Sequence, residues 1–473
     1  MGDGARRWRR RVGVAGLVVA VLAAVAVPVV AGWVGARPGD RVDEVPGRIG
    51  LPYMWQATVD RDPPGPAALL VAGDGLGLRG IDLLDHEGKV AVIGRDGRYR
   101  MLLYGGAESS AGEDVQLSPD GRYVADALGD GWLETTDLTD GSRRAYDGPA
   151  DGSGGLPVTW APDGRSIVAL DNRYEPVLGR DADGQDIYLI RLVLLDLDSG
   201  ATRVLAEERS DRWTVRTASL AAFTPDGSRL LTTVGDTVSL RDRTGRALWS
   251  RRLGPRRVLA GSGAVSPDGT RVATVELDGC RTGCSARELG ARTWRFGWLD
   301  TATGRDTTGP ALPPVRGQAV RALGWRTGTD LVALRYEPNP HDGMHTVYWN
   351  DTGWWETGHV QLLALRPDGG TDLLLDPPAE VCALDVPRDL LTAGRFGGPA
   401  VRARPFPARP IIVIGVLPLL LPLAAAALVL LLWRRRRRAG PVPGPAAVPA
   451  WQLPVGAVPA RRRTPPDPPW PTA

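Results

Sequence analysis

Lysine is nearly absent from this chain: Lys89 is the single one among 57 basic residues, and arginine supplies the rest. That substitution reads as base bias in the coding sequence and carries no functional message. Histidine is scarce as well, with four in 473 residues, which leaves few candidates for general base chemistry. Three cysteines are present. Two of them are close together, but no second pair accompanies them, so a zinc ribbon does not follow. The GxSxG elbow, the HExxH helix and the phosphate-binding loop are all missing. No catalytic residue, metal site or cofactor is therefore assigned from sequence.

Glycine (60) and proline (41) are abundant, which favours many turns between short strands over long helices. The net charge of +3 is unevenly spread. Residues 1–34 carry +4 and residues 411–473 carry +7, which leaves −8 for residues 35–410. An acidic central region does not suit a nucleic-acid backbone, which needs a basic patch.

Charge is absent from two stretches, Val12–Val34 and Ile411–Trp433. As a helix, either would reach about 34 Å at about 1.5 Å per residue, enough for a hydrocarbon core of about 30 Å. Trp33 and Trp433 stand at span ends, where indoles favour the interface. Arg6, Arg7 and Arg9–Arg11 precede the first stretch, and Arg434–Arg438 follow the second. The positive-inside rule puts both clusters in the cytoplasm. The expected layout is a basic cytoplasmic N-terminus (1–11), a transmembrane helix (12–34), an extracytoplasmic domain (35–410), a second transmembrane helix (411–433) and a basic, Pro-rich, disordered cytoplasmic tail (434–473). The first stretch is longer than a signal-peptide core, and its small-residue sites are unconvincing, so an uncleaved anchor is expected. On this reading the chain is a two-pass protein of the cell membrane that contacts the bilayer through both helices.

The central region repeats. An apolar strand, a Pro-Asp-Gly turn and a second apolar strand recur as VQLSPDGRYVADAL (115–128), VTWAPDGRSIVAL (158–170), LAAFTPDGSRLLTTV (220–234) and GAVSPDGTRVATV (263–275). Degenerate copies read ALGWRTGTDLVAL (322–334) and CALDVPRDLLTA (382–393), and residues 57–72 read as a divergent first copy. Proline presets φ in such a turn, aspartate bonds to the nearby backbone, and glycine accepts positive φ. A second strand–turn–strand unit with a glycine turn follows each of the first six copies, as in VLLDLDSGATRVL (193–205). Four strands per unit at spacings of roughly forty to sixty residues is the sequence form of a β-propeller.

The SPDGxxVA and DxxTG pairs resemble those of WD-repeat-like and TolB-like propellers, and the plan resembles membrane-anchored proteins of that kind from actinobacteria. The resemblance covers about 50–405 and implies fold alone, since the Gly-His and Trp-Asp signatures of true WD repeats are absent. Seven copies imply an all-β fold: a seven-bladed propeller of four-stranded blades flanked by two single transmembrane helices. To close such a ring, residues 43–51 are expected to supply the outer strand of blade seven.

If strands A to D run from the axis outwards, the A–B and C–D turns share one face, and the B–C and D–A connections share the other. Length varies mostly in the B–C loops at 74–88, 171–186, 278–294 and 336–358, and long loops in compact domains are disproportionately functional. The last of these holds His341, His345, Tyr348, Trp349, Trp354 and Trp355, the ligand-binding candidates, because large aromatics bury much area at low entropic cost. Cys280 and Cys284 are expected to form a disulfide closing a short loop outside the cytoplasm, and Cys382 to be a buried thiol on an inner strand. Gly75, Gly77 and Gly80 spell a dinucleotide fingerprint but lack the helix that would receive the pyrophosphate. Asp181, Asp183 and Asp186 lack the spacing of a calcium loop. The function expected is a binding or scaffolding module for an extracytoplasmic protein, peptide or glycan. The alternative is a cell-envelope hydrolase or lyase with carboxylates at the propeller mouth.

Overall fold

The computed structural model describes residues 43–403, apart from 53–55, 74–88, 103–110, 128–131, 150–153, 173–177, 181–185, 212–219, 235, 282 and 341–356, together with the helical residues Leu423, Ala426, Ala427, Leu430, Leu431 and Arg434. Among these residues the fold is six antiparallel sheets, four of four strands and two with an extra short strand, the blades of a β-propeller.

Blade two shows the pattern most simply. Its strands are Val115–Leu117, Tyr123–Asp126, Leu133–Asp137 and Arg143–Tyr146, each hydrogen-bonded to the next. The three inner strands are almost wholly buried, whereas the outermost begins with three exposed residues. Burial on both faces follows from the architecture, since each blade is sandwiched between two others. Blade three comprises Gly155–Trp160, Ser166–Asn172, Asp186–Asp196 and Thr202–Asp211, with a short extra strand, Gly179–Arg180, on its third strand. Blade four comprises Ala221–Phe223, Arg229–Val234, Thr237–Asp242 and Ala247–Arg252. Blade five comprises Arg257–Leu259, Arg271–Asp278, Thr293–Asp300 and an outer edge divided between Asp306–Thr307 and Val315–Arg316. Blade six comprises Ala319–Arg326, Asp330–Pro338, Thr357–Leu365 and Thr371–Leu375.

The Pro-Asp-Gly turns form as their chemistry requires. In blade two, Gly121 N–H donates to Ser118 O at 2.9 Å, and Ser118 Oγ donates to Asp120 Oδ1 at 2.6 Å. Asp120 Oδ1 also accepts from Arg122 N–H at 3.0 Å. Gly121, Gly164, Gly227 and Gly269 have φ of +70°, +69°, +67° and +70°, a region where a Cβ would be strained.

Blade count is where the sequence expectation fails. Residues 57–66 do not form an inner strand. Ala57 and Val59 instead bond to Met101 on the outer strand of blade one (Met101 N–H to Ala57 O, 3.0 Å; Val59 N–H to Met101 O, 3.1 Å). The inner strand of that blade is Ala383–Asp385, paired with Ala67–Gly73, which continues to Lys89–Gly94 and Tyr99–Leu102. The first and seventh sequence copies are thus two halves of one blade, and six blades are present among the described residues instead of seven. Residues 43–51 do not complete a blade either. Val45–Pro46 pairs in parallel with Phe396–Gly398 in a separate two-stranded ribbon, and Gly50 N–H donates to Val401 O at 3.2 Å.

Two helices are fully described. Helix α1, Ala286–Ala291, opens with a capping box in which Ser285 and Glu288 bond reciprocally. Helix α2, Arg388–Thr392, follows the closing strand of blade one and buries Leu390 and Leu391. Among the described residues no helix is long and apolar enough to cross a membrane. The two uncharged stretches lie outside them, save for the helical positions named above.

Candidate functional site

His341, His345, Tyr348, Trp349, Trp354 and Trp355 fall in 341–356, outside the described residues, as do Gly75, Gly77, Gly80, Asp181 and Asp183. The strands leading into that loop are described. His359, on the third strand of blade six, shares the Asp376 carboxylate with Gln361, at 2.8 and 2.7 Å. Both interactions help keep the Asp376 carboxyl below its usual range, against the raising effect of burial. Among the described residues no three His, Cys, Asp or Glu side chains converge as metal ligands.

The B–C connection of blade five is described except for residue 282. Cys280 and Cys284 are joined as a disulfide, with Cα atoms 6.0 Å apart. The loop they close wraps Arg292, whose side chain is fully buried. Its guanidinium donates to Cys280 O (2.8 Å), Arg281 O (2.6 Å) and Gln318 O (3.1 Å). A buried charge is tolerated only when its donors are satisfied, and three carbonyls from the loop and from the start of blade six do this. The disulfide loop is therefore part of the B–C face and clamped onto the ring. Cys382 is buried, outside any disulfide, and immediately precedes the closing strand.

A line of charges runs through the middle of the ring, and sequence reading did not anticipate it. Arg321, on the inner strand of blade six, donates to Gly112 O (2.7 Å) before blade two and to Leu384 O (3.0 Å) of blade one. It also lies 3.6 Å from a Glu113 carboxylate oxygen. Burial works against its charge, but Tyr336, Glu113 and Asp385 together raise its pKa. Burial raises the Asp385 carboxyl, opposed by Arg321 and by hydrogen bonds from Leu117 and Val386 N–H, both 3.0 Å. Arg388 is pulled down by burial and held up by Asp385. Asp385 and Arg388 line a cavity of about 40 Å³ with Gln116, Thr159, Ser262 and Leu391. Helix α2 closes it from the tight-turn face. Asp389 N–H donates to Pro119 O (3.0 Å) in blade two, and Thr392 O accepts from Thr327 N–H (3.3 Å) in blade six. Ligand pockets usually run to several hundred Å³, so this cavity has the scale of water or a small ion.

A larger depression lies on the tight-turn face between blades two and three, with a volume near 580 Å³. Arg122, Arg143, Arg144 and Arg165 line it, with Tyr146 and Trp160 beneath. Neither the axial charges nor this groove is visible as a motif: Glu113 and Arg388 are far apart in sequence, and the arginines are ordinary turn and edge residues until two blades meet.

Among the described residues the fold defines the class: a six-bladed β-propeller whose ring is closed by Ala383–Asp385. No family model matches the chain, and none of the curated proteins does. Among solved structures it is similar to TolB from Acinetobacter baumannii, at 14% identity and TM-score 0.35, covering 67% of this chain and 65% of that one. Oligogalacturonate lyase from Vibrio parahaemolyticus gives 15% and 0.38, covering 69% and 78%. Kuenenia stuttgartiensis hydrazine synthase gives 15% and 0.32, covering 56% of this chain and 66% of that one. The chain thus spans just under two thirds of the hydrazine synthase and TolB chains. Likeness at this level carries no functional argument, and the fold rests on the strand pairing itself.

Proposed function

We propose that the chain is a membrane-anchored, extracytoplasmic propeller that acts as a binding or scaffolding module, with its protein, peptide or glycan ligand on the B–C face. The observation that supports this most is the contrast between the two faces. In blades two, three, four and six the A–B and C–D turns span three to five residues, whereas blade five devotes a disulfide, a capped helix and a buried arginine to its B–C connection. Loops that are elaborate yet rigidly mounted are the usual carriers of recognition. The described ends support the same choice of face. Asp43 bonds to Arg95 in the C–D turn of blade one, and Val401 lies against Gly97 and Tyr99. Both ends leave beside the tight turns, so tethers there would leave the B–C face unobstructed. The Cys280–Cys284 bond is consistent with an oxidising compartment.

The alternative of carboxylate catalysis at the mouth has less support. Glu113 and Asp385 both face Arg321, and the cavity beside Asp385 is small. Site-specific photo-crosslinking in native membranes tests the binding reading, with a probe at Trp354 on the B–C side and a control at Asp268 in a tight turn. A discrete adduct at Trp354 alone is the expected result. Adducts at neither position, or equally at both, would overturn it.

A further inference from the structure

We propose that the groove between blades two and three is a second binding site, for an extended acidic peptide. It lies on the tight-turn face and is independent of the B–C surface. Its volume, near 580 Å³, falls within the range of ligand sites, about 300–1,000 Å³.

The charge balance inside it is unequal. Arg122 is neutralised by Asp137 through two bonds of 3.0 and 2.7 Å, and Arg143 lies 3.5 Å from Glu134. Arg165 faces Asp198 at 3.4 Å, with both side chains about 70% exposed. Such a pair is weak and easily exchanged. Arg144 has no carboxylate partner among the described residues. It donates to the Asp198 carbonyl at 3.2 Å and lies over the Tyr146 ring, 4.8 Å from its centroid. Arg144 and Arg165 therefore offer guanidinium forks, whose planar geometry matches carboxylates.

Two features favour a peptide over an anionic sugar. The aromatic faces are already occupied: Arg144 covers Tyr146, Arg122 covers Tyr123 at 5.0 Å, and Trp160 is 3% exposed. A sugar ring would find no free face to stack on. Arg143–Tyr146 is the outermost strand of blade two and pairs only with Leu133–Asp137 among the described residues. Arg143, Arg144 and Tyr146 of this strand line the groove, and an edge strand can pair with a peptide main chain, as in strand addition. Acidic residues at alternate positions of such a peptide would face the same side.

The test uses the full chain in detergent and a fluorescein-labelled, acetylated (Glu-Thr)3 peptide, read by anisotropy. Saturable, salt-sensitive binding is expected. The R144Q/R165Q variant should bind at least tenfold more weakly, with unchanged thermal unfolding because both side chains are exposed. The R256Q variant, altered at an exposed arginine that donates to Gly279 O on the B–C side, should bind as the parent does. Absence of binding by the parent chain would overturn the proposal, as would equal binding by R144Q/R165Q or equal loss in R256Q, which would mean diffuse charge attraction. Tighter binding of trigalacturonate or pyrophosphate than of the peptide, with the same dependence on Arg144 and Arg165, would overturn the ligand class.

Discussion

Blade four and blade one have the same four-stranded form but different origins. Blade four runs without interruption from Ala221 to Arg252, each strand pairing with the one before it in the chain. Blade one takes its three outer strands from Ala67–Leu102 and its innermost from Ala383–Asp385, almost three hundred residues later. In blade four a covalent Pro-Asp-Gly turn brings the inner hairpin together. In blade one that covalent link is missing, and tertiary contacts must do its work. Arg95 donates to Ala67 O (3.3 Å), Asp120 O (2.8 Å) and Asp389 Oδ2 (2.6 Å), joining blade one, the turn of blade two and α2. A ring closed in this way has no exposed inner edge, and loop-closure entropy is met once for the entire ring.

The sharpest way to test the comparison is to remove the same side chain from both blades. Leu384 in the closing strand and Leu231 in blade four are both fully buried. Each Leu→Ala substitution should cost about 2–5 kcal/mol from lost burial and the remaining cavity. Denaturant unfolding should show one cooperative transition in both cases. If Leu384→Ala instead produced a separate early transition, the closing strand would not belong to the same cooperative unit.

Next in size is a glycine pair. Gly121 and Gly200 both have positive φ, +70° and +74°. A Cβ on Gly121 would lie 2.5 Å from Ala67 O and 2.8 Å from Pro387 Cγ, whereas Gly200 has nothing within 4 Å. Gly200→Ala should cost about 1–2 kcal/mol from backbone strain alone. Gly121→Ala should cost measurably more in thermal melts, because the turn of blade two packs on both halves of the closure. Equal costs would mean that the closure yields freely at this point.

Arg95→Gln should follow at about 1–3 kcal/mol. The arginine is 8% exposed, but its carboxylate partners are about 40% exposed, so water screens the pairs. Asp389→Asn in the same background should add little if Arg95 is what binds α2.

The smallest effect is a pH response in the Pro-Asp-Gly turns of blades four and five. Hydrogen bonds from Ser228 and Thr224 hold the Asp226 carboxyl at about 2, and those from Ser266 and Thr270 do the same for Asp268. Both values lie below the unfolded reference near 3.9. A depressed folded pKa contributes stability that is present above the unfolded value and is lost as pH falls from about 4 towards 2. Asp226→Asn and Asp268→Asn should therefore flatten the acid limb of a melting curve over that interval. An unchanged acid limb would show that these turns do not titrate as their hydrogen bonds imply.

Local chemistry made much of the molecule legible in the chain itself. The Pro-Asp-Gly and glycine turns, the apolar strands beside them and the four-strand period are properties of consecutive residues, and they specify the propeller class. The closeness of Cys280 and Cys284 likewise suited a short disulfide loop. The number of blades was not legible, because counting copies assumes that each blade is contiguous. Residues 57–72 and 382–393 each resembled one copy while supplying opposite parts of the same sheet. The buried axis of Glu113, Arg321, Asp385 and Arg388 depends on the ring being closed, and so does the seating of α2 across it. The arginine groove depends on blade two meeting blade three. Hairpins are determined by neighbours in sequence. Ring closure, axial charge pairing and inter-blade surfaces are determined by residues that become neighbours only when distant strands pack, and so tertiary structure alone decided them.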